Sequence, residues 1–159
     1  VNSILIKKGI ESFMGISRRF DIRYEKKNMV YIDDYAHHPE EMKAVISTLR
    51  DLYPGKKKTG IFQPHLFSRT LHFADEFAKT LDMLDEAILM EIYPARETPI
   101  EGVTSDMLLK KMIIDNKKIL SENEICEFVR NNNIEVLITM GAGDIDRLVL
   151  PIEETLEKK

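Results

Sequence analysis

The stretch MVYIDDYAHHPEEMKAVISTL, residues 29–49, decides the fold. It opens as an apolar run, Met29 to Tyr35, of the kind a buried strand makes, and passes through Asp33, Asp34, Tyr35, Ala36, His37 and His38 to Pro39. From Pro39 the period changes from strand to helix, with Met42, Val45, Ile46 and Leu49 recurring on one helical face. Proline suits the first turn of a helix, where its missing N–H costs nothing. A strand feeding a helix directly is the repeating unit of a parallel α/β sheet, and here the polar residues sit at the join.

The same alternation continues outward. Upstream, Asn2 to Glu11 reads as an amphipathic helix carrying Ile4, Leu5 and Ile10, with a turn at Gly15. Arg18 to Tyr24 alternates with the period of a half-buried strand, and the polar turn Glu25 to Asn28 makes it a hairpin with the strand that follows. Downstream, Tyr53-Pro54-Gly55 ends the first long helix and Lys58 to Gln63 is a short apolar strand. Ser68 is expected to cap a helix with Leu71, Phe73, Phe77 and Leu81 on its apolar face. Asp85 to Ile92 is the next strand, Thr104 opens a helix with Met107, Leu108, Met112 and Ile113, and Lys118 to Leu120 is a short edge strand. Ser121 to Glu124 is a capping box starting a helix to Asn131. Val136 to Met140 is a buried strand running into Gly141-Ala142-Gly143-Asp144, and a last helix, kinked at Pro151, completes the chain. The expectation is one domain over residues 1–159, α/β, a Rossmann-like three-layer fold with a mostly parallel sheet flanked by helices and an N-terminal hairpin. Such sheets gather function in the loops after the carboxyl ends of their strands.

Composition narrows the function classes. With 43% hydrophobic and 31% charged residues the chain is an ordinary globular one, and a net charge of −4 makes it a poor sequence-independent binder of nucleic acid. It has no secretory signal and no apolar run of membrane-crossing length. Neither nucleic acid nor membrane is therefore an expected partner. The lone Cys126 has no partner for an internal disulfide and reads as a small buried hydrophobe in a reducing, cytoplasmic protein. The eight methionines read mostly as core filler. The chain begins at Val1 in what reads as mid-helix, which points to a piece of a longer protein.

Four constellations fall at strand ends. In the first, Asp33-Asp34-Tyr35-Ala36-His37-His38-Pro39, acids can bind ribose hydroxyls or a metal through water. The histidines can hold phosphate or carboxylate, act as acid or base, or ligate a metal. The plain structural alternative is that Asp33 or Asp34 caps the helix and the histidines are solvated. The second, Phe62-Gln63-Pro64-His65-Leu66-Phe67-Ser68-Arg69-Thr70, puts Arg69 in a first helical turn beside unpaired N–H groups, a natural place for a carboxylate or phosphate. Here the alternative is a surface Arg beside a capping Ser. The third, Ile92-Tyr93-Pro94-Ala95-Arg96-Glu97-Thr98-Pro99, is a loop fixed by prolines in which Arg96 and Glu97 could pair; the alternative to a functional role is a rigid connection with a surface ion pair. The fourth is Met140-Gly141-Ala142-Gly143-Asp144, whose small residues admit close backbone approach. It is not the full dinucleotide fingerprint. A phosphate loop is also missing, since Gly55-Lys56-Lys57-Lys58-Thr59 lacks its spacing, and there is no second cysteine for a thiolate metal site.

In this order the four motifs resemble the C-terminal domain of the UDP-N-acetylmuramate–L-alanine ligases of the Mur ligase family. The resemblance spans essentially the whole chain. It implies a three-domain, ATP-dependent enzyme of peptidoglycan precursor synthesis in the bacterial cytoplasm. The N-terminal domain holds the UDP-sugar, the central domain carries the phosphate loop and most of the ATP and Mg²⁺ site, and this domain presents the amino acid. The partners implied are those two domains, UDP-N-acetylmuramate, L-alanine and ATP. By the same resemblance the isolated chain is inactive, binds no ligand tightly and contributes no metal ligand. Tyr35, His37, His65 and Arg69 form the catalytic and amino-acid site, with Arg69 the partner of the alanine carboxylate. Asp34 lies near the ATP ribose, and Asp33, His38, Gln63, Ser68, Arg96, Gly141, Gly143 and Asp144 support the site. The sequence departs from the family pattern at Leu66, where Arg is common, at Phe67, where Tyr is common, and at Leu71, where a basic residue often stands. Arg69 must then carry more of the carboxylate binding, or the other domains help. Three alternatives stand beside this reading: the related murein tripeptide ligase, a metal-dependent phosphoesterase using Asp33, Asp34, His37 and His38, and a nucleotide-sensing module.

Overall fold

The computed structural model describes residues 3–13, 15–26 and 28–159. Six strands form one sheet in the order β1-β2-β6-β3-β4-β5: β1 Asp21–Lys26, β2 Met29–Asp34, β3 Lys58–Phe62, β4 Glu86–Leu89, β5 Lys117–Ile119 and β6 Val136–Met140. Neighbours pair in parallel except the β1–β2 hairpin, which is antiparallel. The expected fold class and hairpin are both present. Asn2, Lys27 and Met14 lie outside the described residues, so the expected start of the first helix, the middle of the 25–28 turn and one of the methionines do too.

Strand alternation sorts the apolar side chains into two cores. Val30 and Ile32 of β2 and Val136, Ile138 and Met140 of β6 face α2 (Pro39–Leu52), α4 (Ala74–Leu81) and α5 (Ser105–Lys111), where Met42, Ile46, Leu49, Phe77, Leu81 and Leu108 are buried. Tyr31 and Leu137 point the other way, toward Ile125 and Val129 of α6 (Glu122–Asn131) and Ile152 and Leu156 of α7 (Val149–Glu157). Each fully buried Leu or Ile contributes about 2 kcal/mol by removal of apolar surface from water. These two cores therefore fix the three layers and hold the strand ends still.

Several local expectations are corrected. The first strand starts at Asp21, not Arg18, because Arg18 (φ 60°) and Phe20 (φ 47°) take left-handed backbone and turn the chain across the sheet end. The register then shifts between Ile22 and Tyr24, which leaves Ile22 exposed and spoils the expected alternation. The helix expected after Ser68 is two, α3 (Phe67–His72) and α4, broken at Phe73, and Leu71 faces solvent. Thr104 and Ser121 do cap α5 and α6, whereas Ile113 lies beyond α5 and is exposed. The expected last helix starts as a 3-10 turn, Asp144–Leu148, and Pro151 sits in the first turn of α7 rather than at a kink. Cys126 is half-buried rather than buried. Of the described methionines, Met42, Met90, Met112 and Met140 are buried and Met29, Met83 and Met107 half-buried. The helix α1 (Ser3–Glu11) buries none of its residues.

Candidate active site

The carboxyl ends of β2, β3 and β6 lie side by side, so the loops that follow them meet at one edge of the sheet. The loop after β2 is held by its own acids. Asp33 is 1% exposed; its carboxylate accepts Thr139 Oγ1 at 2.7 Å and Arg18 Nε at 3.0 Å. Thr139 also meets the Tyr31 hydroxyl at 3.0 Å, and burial drives that phenol far above its ordinary pKa, so it stays neutral. Asp34 accepts the Phe20 N–H at 2.6 Å and the Ala36 N–H at 2.8 Å. Burial raises its pKa, against the pull of those two donors and of Arg19. Each oxygen retains a lone pair for a further donor.

Neither Asp33 nor Asp34 caps α2. His38 does: its ring accepts the Glu40 N–H at 3.4 Å and packs edge-on against Phe73. Glu41 closes the cap by accepting the N–H groups of His37 (3.0 Å) and His38 (3.2 Å). Burial works to raise the Glu41 pKa, yet those N–H groups and the His37 and Arg19 charges hold it below the ordinary range. His38 is thus a helix cap, while Tyr35 and His37 stand forward of it with ring centroids 5.1 Å apart.

The loop after β3 is built differently. Gln63 turns inward, donating to Asp144 Oδ1 at 2.6 Å and accepting the Ile145 N–H at 2.9 Å, which ties the end of β3 to the loop after β6. Only glycine fits at 143, since a Cβ there would stand 2.4 Å from Gln63 Oε1 and 2.7 Å from Tyr93. His65 stacks on Tyr93 (centroids 5.6 Å) and meets His37 edge-on at 5.9 Å, which brings the first two motifs together. Burial lowers the His65 pKa, and the Arg69 and His37 charges lower it further. His65 Nδ1 and Arg69 Nη1 are buried without a hydrogen-bond partner among the described residues.

The first of the expected free N–H groups at the start of α3 are already taken. The Glu97 carboxylate accepts the Ser68 N–H at 3.0 Å and its hydroxyl at 2.5 Å, and this holds Glu97 below the usual range. The Arg96–Glu97 pair is therefore not formed, and Arg96 is exposed. Ser68 is clamped rather than capping, and Leu66 (φ 72°) takes the N-cap position without a side-chain bond.

The sequence reading missed Arg18. It donates to Asp33, places Nη2 2.7 Å from the Gly141 carbonyl oxygen, and sets its guanidinium 5.2 Å from the Tyr35 ring. Arg19 lies 5.8 Å from the same ring. The Arg18-Arg19 pair was the available signal, but its strand-like alternation with Phe20 concealed it. Among the described residues no group of three His, Cys, Asp or Glu side chains is arranged to hold a metal ion. Asp33, Asp34, His37 and His38, the alternative metal set, point to separate partners. The arrangement can bind an anion at Arg69 and His65, and present Tyr35 and His37 beside it.

Comparison with known proteins bears on the same edge. Residues 18–146 match the family described as Mur ligase, glutamate ligase domain. UDP-N-acetylmuramate–L-alanine ligases from Cytophaga hutchinsonii and Flavobacterium psychrophilum are 50% and 49% identical over 154 residues; each alignment covers 97% of this chain but 33% and 34% of the relative. The chain thus spans about a third of the length of the curated relatives it matches. The crystal structure of a UDP-N-acetylmuramate–alanine ligase from Thermotoga maritima superposes with a TM-score of 0.74 at 26% identity, covering 95% of this chain and 32% of that one. A murein peptide ligase from Psychrobacter arcticus shares the fold, with a TM-score of 0.66 at 17% identity over 92% of this chain and 32% of its own.

Proposed function

The chain belongs to the Mur ligase family, and from that premise we propose that it is the amino-acid-presenting domain of an ATP-dependent ligase joining L-alanine to UDP-N-acetylmuramate in the bacterial cytoplasm. The observation that carries the reading is the pair of buried, unpartnered groups His65 Nδ1 and Arg69 Nη1 at the edge where all four motifs meet. Buried polar groups are nearly always satisfied, and a cation left without an anion there marks where an anionic substrate group docks. The alanine carboxylate fits that role. Identity near 50% to relatives bearing that activity supports this substrate over a tripeptide.

In the proposed reaction ATP phosphorylates the muramoyl carboxylate, the alanine amine attacks the acyl phosphate, and phosphate leaves as the amide forms. ATP and Mg²⁺ would be held mainly by the central domain outside this chain, where the ion would neutralise phosphoryl charge. The work of this domain is orientation. Arg69 fixes the carboxylate, and His65, kept neutral by its lowered pKa, adds no competing charge. Tyr35 and His37 border the reacting centre, and Asp34 takes the ribose hydroxyls with its remaining lone pairs. Closure of the three domains excludes water from the acyl phosphate.

The test is a chimaera. This chain replaces the matching third of the Cytophaga hutchinsonii ligase, and ADP release is followed with UDP-N-acetylmuramate, ATP, Mg²⁺ and L-alanine. Turnover that requires alanine supports the reading. A folded chimaera that turns over the tripeptide but not alanine, or neither, sinks it.

A further inference from the structure

The opposite edge of the sheet carries a cavity of about 710 Å³, lined by Arg50, Lys56, Lys57, Lys58, Asp85, Asn116 and Glu135 together with the Pro54-Gly55 turn. It lies at the amino ends of β3 and β6, where Lys58 pairs with Val136, and is separated from the candidate active site by the length of β3, roughly 16 Å. Four cations face two carboxylates, and both carboxylates are committed to backbone. Asp85 accepts the Lys58 N–H at 2.7 Å, and Glu135 accepts the Lys57 N–H at 2.8 Å. Of the cations, Lys57 is neutralised by Glu86 at 2.7 Å. Arg50 donates to the Met83 carbonyl oxygen, which takes a hydrogen bond but no charge, and Lys56 lies over the Tyr53 ring.

Lys58 is the telling residue. It is 7% exposed, and its ammonium has neither an acidic partner nor a hydrogen bond among the described residues, while its neighbour Lys57 has both. Its stem is buried while its ammonium is reached by solvent at the cavity, and a cation held there without a counter-ion is open to an anion that brings its own acceptors. Phosphoryl oxygens suit ammonium and guanidinium donors better than a single carboxylate does, because they present several acceptors around one centre. The side-chain amide of Asn116 reaches only the Asp85 carbonyl oxygen, at 3.5 Å, and so is open to a further acceptor.

We propose that this cavity is an anion site for a diphosphate group, with Lys58, Arg50 and Lys56 as its cations, distinct from the site at the carboxyl edge. The probe is inorganic pyrophosphate, titrated at fixed ionic strength into the isotope-labelled chain while backbone amide resonances are followed. Saturable shifts are expected at Lys56, Lys57, Lys58 and Asn116, with His65 and Arg69 unmoved by the same event and matched chloride without effect. Lys58→Gln and Arg50→Gln should each weaken binding on the order of tenfold, as loss of one charge-assisted contact implies. Arg50 is exposed on α2, so its variant carries the test if burial makes Lys58→Gln misfold. Shifts linear in concentration, shifts confined to the carboxyl edge, or an Arg50→Gln chain binding as tightly as the wild type would overturn the site.

Discussion

The loops after β2 and β3 hold comparable sets of polar residues and treat them in opposite ways. In the first, Asp33, Asp34, His38 and Glu41 all have partners within the chain, and only Tyr35 and His37 face forward. In the second, His65 and Arg69 each keep a buried nitrogen unpaired. A loop whose polar groups are satisfied is built to hold its shape; one that keeps buried donors open is built to bind. The two meet at the His37–His65 contact, while Gln63 ties the binding loop to the loop after β6, so the binding loop is positioned from both sides.

The largest expected effect is on the rigid loop. Asp33→Ala leaves Arg18 and Thr139 without their shared acceptor, and breaking so buried a pair should cost about 3 kcal/mol, read as a lower urea midpoint at unchanged m-value. A loss below about 0.5 kcal/mol, the range of an ordinary surface substitution, would mean that the Asp33 network does not hold the loop. The binding loop should respond the other way. In the chimaera, Arg69→Ala should raise the Michaelis constant for alanine on the order of thirtyfold, the equivalent of about 2 kcal/mol for a hydrogen bond to a charged group, with the unfolding midpoint nearly unchanged. An equal rise in the ATP constant would contradict the carboxylate role. Next comes the fastening of the binding loop to the loop after β6. Gly143→Ala drives a Cβ into Gln63 and Tyr93, and the overlap should cost about 1–3 kcal/mol of stability. If it costs nothing, the Gln63–Asp144 tie does not constrain the site.

These contrasts also mark what the sequence could disclose. The strand-to-helix change at Pro39, the capping boxes and the buried run at Val136 are local signals, and each names its element without help from the rest of the chain. The motifs at strand ends were legible for the same reason, since parallel topology brings such ends to one edge. Partners were not legible. His38 rather than an Asp caps α2, and Glu97 takes Ser68 rather than Arg96, because such choices depend on which loops meet in space. Arg18 was concealed because its left-handed backbone occurs in a non-glycine residue and so left no mark in the sequence. The break between α3 and α4 was missed because Phe73 continues the apolar period across it.

The smallest effect is a pH dependence that isolates one imidazole. Burial, then the Arg69 and His37 charges, place the folded pKa of His65 below its ordinary 6.5. The unfolded chain therefore binds the proton more readily than the folded one. The stability contributed by neutral His65 is complete above 6.5 and is lost as pH falls from there through the lower, folded pKa. Urea midpoints of the wild type and His65→Gln, compared at about pH 7.5 and about pH 5.5, should show the wild type losing more on acidification. Every other carboxylate and histidine titrates in both proteins, so the difference between the two losses belongs mainly to His65. Equal losses would mean that a proton is accommodated at His65 as easily in the folded loop as in water. The loop after β3 would then be as well satisfied as the loop after β2, and the contrast between a holding loop and a binding loop would fail.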